Sequence, residues 1–247
     1  MNPASLAIEG LSRSYGQTIA LRDASLQFEA GTIHAILGEN GSGKSTLVKL
    51  LSGVVAPTRG RIIVMGSPIR AGGPATMRQV GVGTAFQEVL VAPDRSVADN
   101  VLLGCDRLFH RAYPRARRHG VVAHLLARIT DRIIDPAVRA GDLDLPTRQL
   151  LVIARALAIA PRVLVLDEVT AALDHAERER VFAFMQAFVT DGGLVLFITH
   201  RMDEVTRLAH RVTVLRSGSI VRTVPRGEAS APLLLSLMAP QPPARGT

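Results

Sequence analysis

The segment Gly38-Glu39-Asn40-Gly41-Ser42-Gly43-Lys44-Ser45 makes the narrowest demand on any fold this chain adopts. It follows the apolar run Ile33–Leu37, which reads as a buried strand, and it opens a helical stretch from Lys44 to Leu51. Leu47, Leu50 and Leu51 fall on one side of that helix, and Gly53 follows as a stop. Strand, glycine-rich loop and helix in that order are the context in which the spacing G-x-x-x-x-G-K-[ST] carries meaning. Gly38, Gly41 and Gly43 let the backbone approach a phosphate chain that side chains would keep away. The loop amides and the helix start attract negative charge. Lys44 can place its ammonium on β and γ phosphates, and the Ser45 hydroxyl can ligate magnesium. The stretch Gly38 to Thr46, including Glu39, Asn40 and Ser42, is therefore expected to hold a nucleoside triphosphate.

Short apolar pieces at Leu6–Ile8 and Ser25–Phe28 are divided by the turn-prone Ser14-Tyr15-Gly16. Arg61–Met65 and Val82–Phe86 read as further strands. From Val89 to about Ala160 the pattern turns helical. Strand-like runs return at Val163–Leu166, Leu194–Thr199 and Val212–Leu215, alternating with helices at Ala176–Val189 and about Met202–Ala209. Such alternation predicts an α/β fold, a mainly parallel sheet flanked by helices, with the helical block as an insertion. The end of the chain, Ala239–Thr247, is rich in proline and glycine and is expected to fray.

Val163–Leu166 runs into Asp167-Glu168, an acidic strand end that suits the loop upstream. Asp167 can hold a magnesium shell, and Glu168 can polarise an attacking water. Composition removes other classes. One cysteine, Cys105, allows neither an internal disulfide nor a cysteine-based zinc site. No stretch of about 18 uncharged apolar residues is present to span a membrane, and the first residues lack a secretory layout. The net charge of +8 comes largely from arginine, spread along the chain with a local group at Arg111, Arg115, Arg117 and Arg118. Such a spread reads as a solvated surface, and no nucleic-acid partner is expected.

GENGSGKST, then Gln87 after a strand, then VLVLDEVTAALD, then FITHRMDEV together resemble the nucleotide-binding subunit of an ABC transporter. The resemblance runs in order from about Leu6 to Thr223. VGTAFQE, SVADNVLLG and THRMDE are most similar to the ATPases of monosaccharide importers. It implies a P-loop NTPase of ABC ATPase type over residues 1–247, with an N-terminal antiparallel β part. The core would take about 1–88 and 161–238, the inserted helical subdomain about 89–160. It further implies ATP and Mg2+ as ligands, with Ser45, Gln87 and Asp167 around the metal. Tyr15 matches an aromatic that stacks on adenine, and Gln87 a glutamine that reaches magnesium and water and reports to the membrane subunit. His200 matches a histidine on the γ-phosphate, and Asp174 a loop at the dimer interface, though Asp174 equally suits a helix N-cap. Implied partners are transmembrane permease subunits and a second ABC ATPase subunit, at the cytoplasmic face of the membrane.

One segment departs from the family. Each ATP in these proteins lies between two subunits, facing a signature loop close to Leu-Ser-Gly-Gly-Gln. Here the segment is Leu143-Asp144-Leu145-Pro146-Thr147. An ionised Asp144 cannot donate a hydrogen bond, and it would repel a phosphate by about 4 kcal/mol at 4 Å and an effective dielectric of about 20. Pro146 has no N–H, and Leu145 adds bulk. Asp-x-Pro suits a helix start instead. The expected function is an ATPase subunit powering import of a sugar or similar solute, with weak turnover in a homodimer. The alternative is a regulatory or scaffold subunit with little turnover.

Overall fold

The computed structural model describes residues 4–69, 72–105 and 112–239. Two long strands, β1 (Ala4–Tyr15) and β2 (Thr18–Glu29), form a hairpin closed by the Tyr15↔Thr18 pair, so the turn falls at Gly16 as the sequence suggests. With β4 (Arg59–Val64) and β5 (Ser67–Ile69) they make a four-stranded antiparallel sheet in the order β2-β1-β4-β5. The antiparallel β part implied by the resemblance is thus present.

The second sheet carries the site. It uses β3 (Thr32–Leu37), β6 (Val82–Ala85), β7 (Val163–Asp167), β8 (Leu194–Ile198), β9 (Arg211–Arg216) and β10 (Ser219–Pro225). Their order is β10-β9-β3-β8-β7-β6, parallel throughout except for the β9–β10 hairpin. β7 and β8 are buried along their whole length, as a parallel sheet covered on both faces requires.

One face packs with α1 (Lys44–Leu51) against the antiparallel sheet, through Phe28, Leu47, Leu50 and Leu196. The other face packs against α3 (Val97–Val101), α4 (Arg115–Ala127), α5 (Leu145–Leu157) and α6 (His175–Thr190), through Val101, Leu126, Leu150, Met185 and Phe197. A third cluster joins β9 and β10 to α7 (Met202–Leu208) and α8 (Ala231–Met238). α2 (Pro74–Gln79) precedes β6.

Several expectations need correction. Among the described residues from Val89 to Ala160, the chain is helical only in α3, α4, a 3-10 turn at Ala140–Asp142 and α5. Among the described residues, β5, α2, β10, a 3-10 turn at Arg226–Glu228 and α8 were not foreseen. β5, α2 and that second 3-10 turn are short and α8 is apolar without periodicity, whereas β10 is long enough but mixes polar and apolar residues. Within the basic group, Arg111 and the Arg115 side chain lie outside the described residues, as do 240–247 of the tail. Arg118 is buried and pairs with Asp99 at 3.2 Å. Among the described residues no helix is long and apolar enough to cross a membrane.

Candidate nucleotide site

Four neighbouring parallel strands end at one edge, and each delivers part of the site. β3 leads into the glycine-rich loop, β8 into Thr199-His200, β7 ends on Asp167 followed by Glu168, and β6 leads to Gln87. Ligand sites of α/β folds form at this carboxyl edge.

The loop owes its course to its glycines. Gly43 sits at φ 105°, and a Cβ there would lie 2.7 Å from the Ala20 carbonyl oxygen. At Gly38 a Cβ would lie 2.4 Å from the Leu215 carbonyl oxygen. Both positions therefore exclude side chains, and the loop wraps tightly onto α1. The Gly218 N–H donates to the Ser42 carbonyl at 3.0 Å, tying the loop to the β9–β10 hairpin. No side chain caps α1, and its first turn holds no acid. Lys44 crosses the loop: its Nζ donates to the Gly38 carbonyl at 2.6 Å and the Glu39 carbonyl at 2.9 Å. Burial pulls the Lys44 ammonium below its ordinary pKa, opposed by the charges of Glu168 and Asp167. A cation held this way meets an incoming phosphate without strong competition from water.

Opposite the loop stand the acids. Burial first, and the neighbouring Glu168 second, push the Asp167 carboxyl up to about 6, against Lys44 and Lys49. Glu168 adopts a left-handed φ of 50°, an uncommon strain for a non-glycine residue. Its Oε2 accepts from Gln87 Nε2 at 3.2 Å and lies 3.3 Å from His200 Nδ1. Gln87, Glu168 and His200 thus converge on one point.

A cleft of about 840 Å³ joins these parts. Tyr15, the loop residues Gly38, Glu39, Asn40, Gly41, Gly43, Lys44, Ser45 and Thr46, and Gln87, Glu168 and His200 all line it. Ser42 and Asp167 are buried just behind its wall. Tyr15 is 43% exposed, with the Arg13 guanidinium 4.7 Å from its ring centre. Ile19 and Met238 also line the cleft and add to its apolar surface. Sequence reasoning missed both. Ile19 is signalled by its place in the hairpin begun at Tyr15, whereas Met238 has no local signal.

Hard oxygen donors suit magnesium. Asp167, whose charge is poorly compensated, the Ser45 hydroxyl and the Gln87 amide are the candidates. Among the described residues no three His, Cys, Asp or Glu side chains gather as a metal site. A magnesium ion ligated mainly by phosphate oxygens and water needs only one or two carboxylates.

The start of α5 is different. Asp144 is its N-cap: Oδ1 accepts from the Thr147 backbone N–H at 2.9 Å, and Pro146 occupies the first turn. Leu145 is 57% exposed, so its bulk faces outward. Arg132 binds the same carboxylate, donating from Nη1 to Asp144 Oδ2 at 3.2 Å and to the Thr147 hydroxyl at 3.0 Å. Its Nε pairs with Glu177, and Nη2 lies 3.8 Å from Asp174. Bonds from Thr147, and then Arg132, hold the Asp144 carboxyl below its ordinary pKa. Protonation therefore offers no relief of its charge, whereas Arg132 partly offsets it. Asp174 caps α6 in a reciprocal box with Glu177.

Comparisons with known proteins bear on the family and the fold. A family model described as ABC transporter matches residues 21–171. The ribose import ATP-binding protein RbsA 1 of Rhizobium johnstonii is 39% identical over 231 residues, which cover 94% of this chain and 45% of that protein. A putative ribose/galactose/methyl galactoside import ATP-binding protein of Agrobacterium fabrum is 36% identical, over 95% of this chain and 47% of its own length. The chain thus spans about half the length of these curated relatives. An ATP-binding cassette of an ABC transporter, solved in its ADP conformation, superposes with a TM-score of 0.81 at 24% identity, over 95% of this chain and 98% of that one. The cbiO1 cassette of Clostridium perfringens does so with a TM-score of 0.77 at 27% identity, over 94% and 92%. With the matched family model extending over more than half of its length, the chain belongs to the ABC transporter family and has the P-loop fold of its ATPase cassettes.

Proposed function

We propose that the chain is the ATP-binding and hydrolysing subunit of a transporter that imports a sugar or a similar small solute. The observation that carries this reading is the meeting of Gln87, Glu168 and His200 opposite the Lys44 loop. The names of the curated relatives support the sugar. In this reading ATP lies with its phosphates on the loop amides and Lys44, and its adenine against Tyr15. Ser45, Asp167 and Gln87 hold Mg2+, which supplies neutralisation of phosphate charge. Glu168 accepts a proton from the attacking water as the water oxygen bonds the γ-phosphorus. The bond from that phosphorus to the bridging β-phosphate oxygen breaks, leaving ADP and phosphate. His200 orients the γ-phosphate.

A second reading is favoured by Asp144 and Pro146: a nucleotide-binding subunit with little turnover of its own. Both readings agree that the α5 start is a poor partner for a phosphate on a facing subunit. A normal signature loop from a different ABC ATPase would complete one sound site, while permease subunits on the membrane receive the motion. ATP closes the pair by binding the closed state better. The test is steady-state ATP hydrolysis by the chain and by its Asp144→Ser/Pro146→Gly variant. Serine keeps the cap and restores a donor, and glycine restores an N–H, so turnover is expected to rise at least about tenfold. Equal turnover would overturn this explanation of the α5 start.

A further inference from the structure

Glu204, in the first turn of α7, is a carboxyl with only 2% of its side chain exposed. A carboxyl is costly to bury unless it is hydrogen-bonded and paired, and an apolar side chain would fill the space without that cost. Its bonds explain its presence. Oε2 accepts from the Thr199 hydroxyl at 2.8 Å and from the Thr170 hydroxyl at 3.2 Å, and both threonines are themselves buried. Arg201 Nη1 lies 3.7 Å from Oε1, and the Arg201 backbone N–H donates to the Thr199 hydroxyl oxygen at 3.1 Å.

Thr199 immediately precedes His200, and Thr170 follows Glu168 by two residues. One carboxyl oxygen therefore bridges the two loops whose functional side chains approach to 3.3 Å. Between them the backbone contributes one further tie, from the Glu168 N–H to the Ile198 carbonyl at 2.9 Å. Glu168 lies at a left-handed φ of 50°, a conformation that persists only where its surroundings hold it.

We infer that Glu204 is a positioning residue that fastens the His200 loop to the Glu168 loop and so aims His200 at the terminal phosphate of a bound nucleotide. The inference rests on the nucleotide site proposed above. It predicts that losing Glu204 weakens recognition of the third phosphate and leaves recognition of a diphosphate intact.

The experiment is calorimetric binding of AMP-PNP and of ADP, each with Mg2+, to the full chain and its variants. Glu204→Ala is expected to lose about tenfold in AMP-PNP affinity while ADP affinity stays within about twofold. Glu204→Gln keeps an oxygen that accepts from both threonines, so it should restore most of the AMP-PNP affinity. Added to His200→Ala, Glu204→Ala should cause no further loss, because it acts through that side chain. An unchanged preference in Glu204→Ala, a parallel loss for both nucleotides, or additive losses in the double variant would each overturn the inference. Thr170→Val and Thr199→Val each remove one bond and carry the same comparison if Glu204→Ala does not fold. Failure of the unaltered chain to bind either nucleotide would overturn the proposed site, and the inference with it.

Discussion

The chain begins two helices at places where a family member is expected to meet phosphate, and only one of the two starts is open to an anion. At α1 the cap position is glycine at φ 105°, no side chain occupies the first-turn amides, and Lys44 adds a cation. At α5 Asp144 takes the Thr147 amide, Pro146 removes another, and carboxylates surround the nearby Arg132. A helix start presents N–H groups without partners inside the helix, but those groups serve a ligand only when nothing in the chain uses them first. The α5 start is satisfied from within, which favours folding and removes the donors. The α1 start leaves its donors free and lets glycine geometry and the sheet edge hold the loop.

The largest expected effect separates the two starts directly. Lys44→Ala should lower ATP affinity at least about a hundredfold by calorimetry, since it removes a partly desolvated cation from the phosphates. Leu145→Ala, at the matching place on α5, should leave ATP affinity within about twofold. A similar loss from both would break the comparison.

The next effect concerns acid. His34, in the strand that leads to the phosphate loop, is buried with Nε2 on the Thr213 hydroxyl at 2.7 Å. Burial, and then the charge of Arg211, lower its pKa from 6.5 to about 3. A histidine depressed in the folded state favours folding above its unfolded pKa, and that contribution is lost as pH falls through 6.5 towards 3. Its share is about 3 kcal/mol between pH 7 and pH 4. Urea unfolding of His34→Gln should therefore show a flatter pH dependence over that window. The depressed carboxyl of Asp144 acts in a lower window: its contribution is lost as pH falls from 3.8. Asp144→Asn should leave the slope between pH 6.5 and about 5 unchanged.

The smallest effect is on the cap itself. Asp144→Ala should cost about 1 kcal/mol of stability in urea unfolding, and Asp144→Ser only a few tenths. Equal losses would mean that the Arg132 contact, not the cap, carries the stabilising role of Asp144.

Much of this contrast was legible in the sequence, for local reasons. Gly38 to Ser45 fixes a strand end, a loop and a helix start within a few residues, and the expected helix from Lys44 to Leu51 has the same bounds as α1. The Asp-x-Pro helix start was equally local. What sequence reasoning missed depends on distant residues. Arg132 lies 12 residues from Asp144 and meets it only after α4 and α5 have packed. Thr170 and Glu204 are 34 residues apart. β10 mixes polar and apolar residues and is mostly half-buried, α8 is apolar without periodicity, and Met238 reaches the cleft only because α8 packs back onto β9.

ATP hydrolysis by the purified chain, followed over a range of protein concentrations with Glu168→Gln as the blank, tests the difference between the two helix starts most directly. The expected result is ATP binding with turnover close to the blank at every concentration, because two copies of this chain would each face the other's phosphate loop with a sealed α5 start. Turnover that rises with concentration and disappears in Glu168→Gln would mean that this start supports hydrolysis, and would contradict the account.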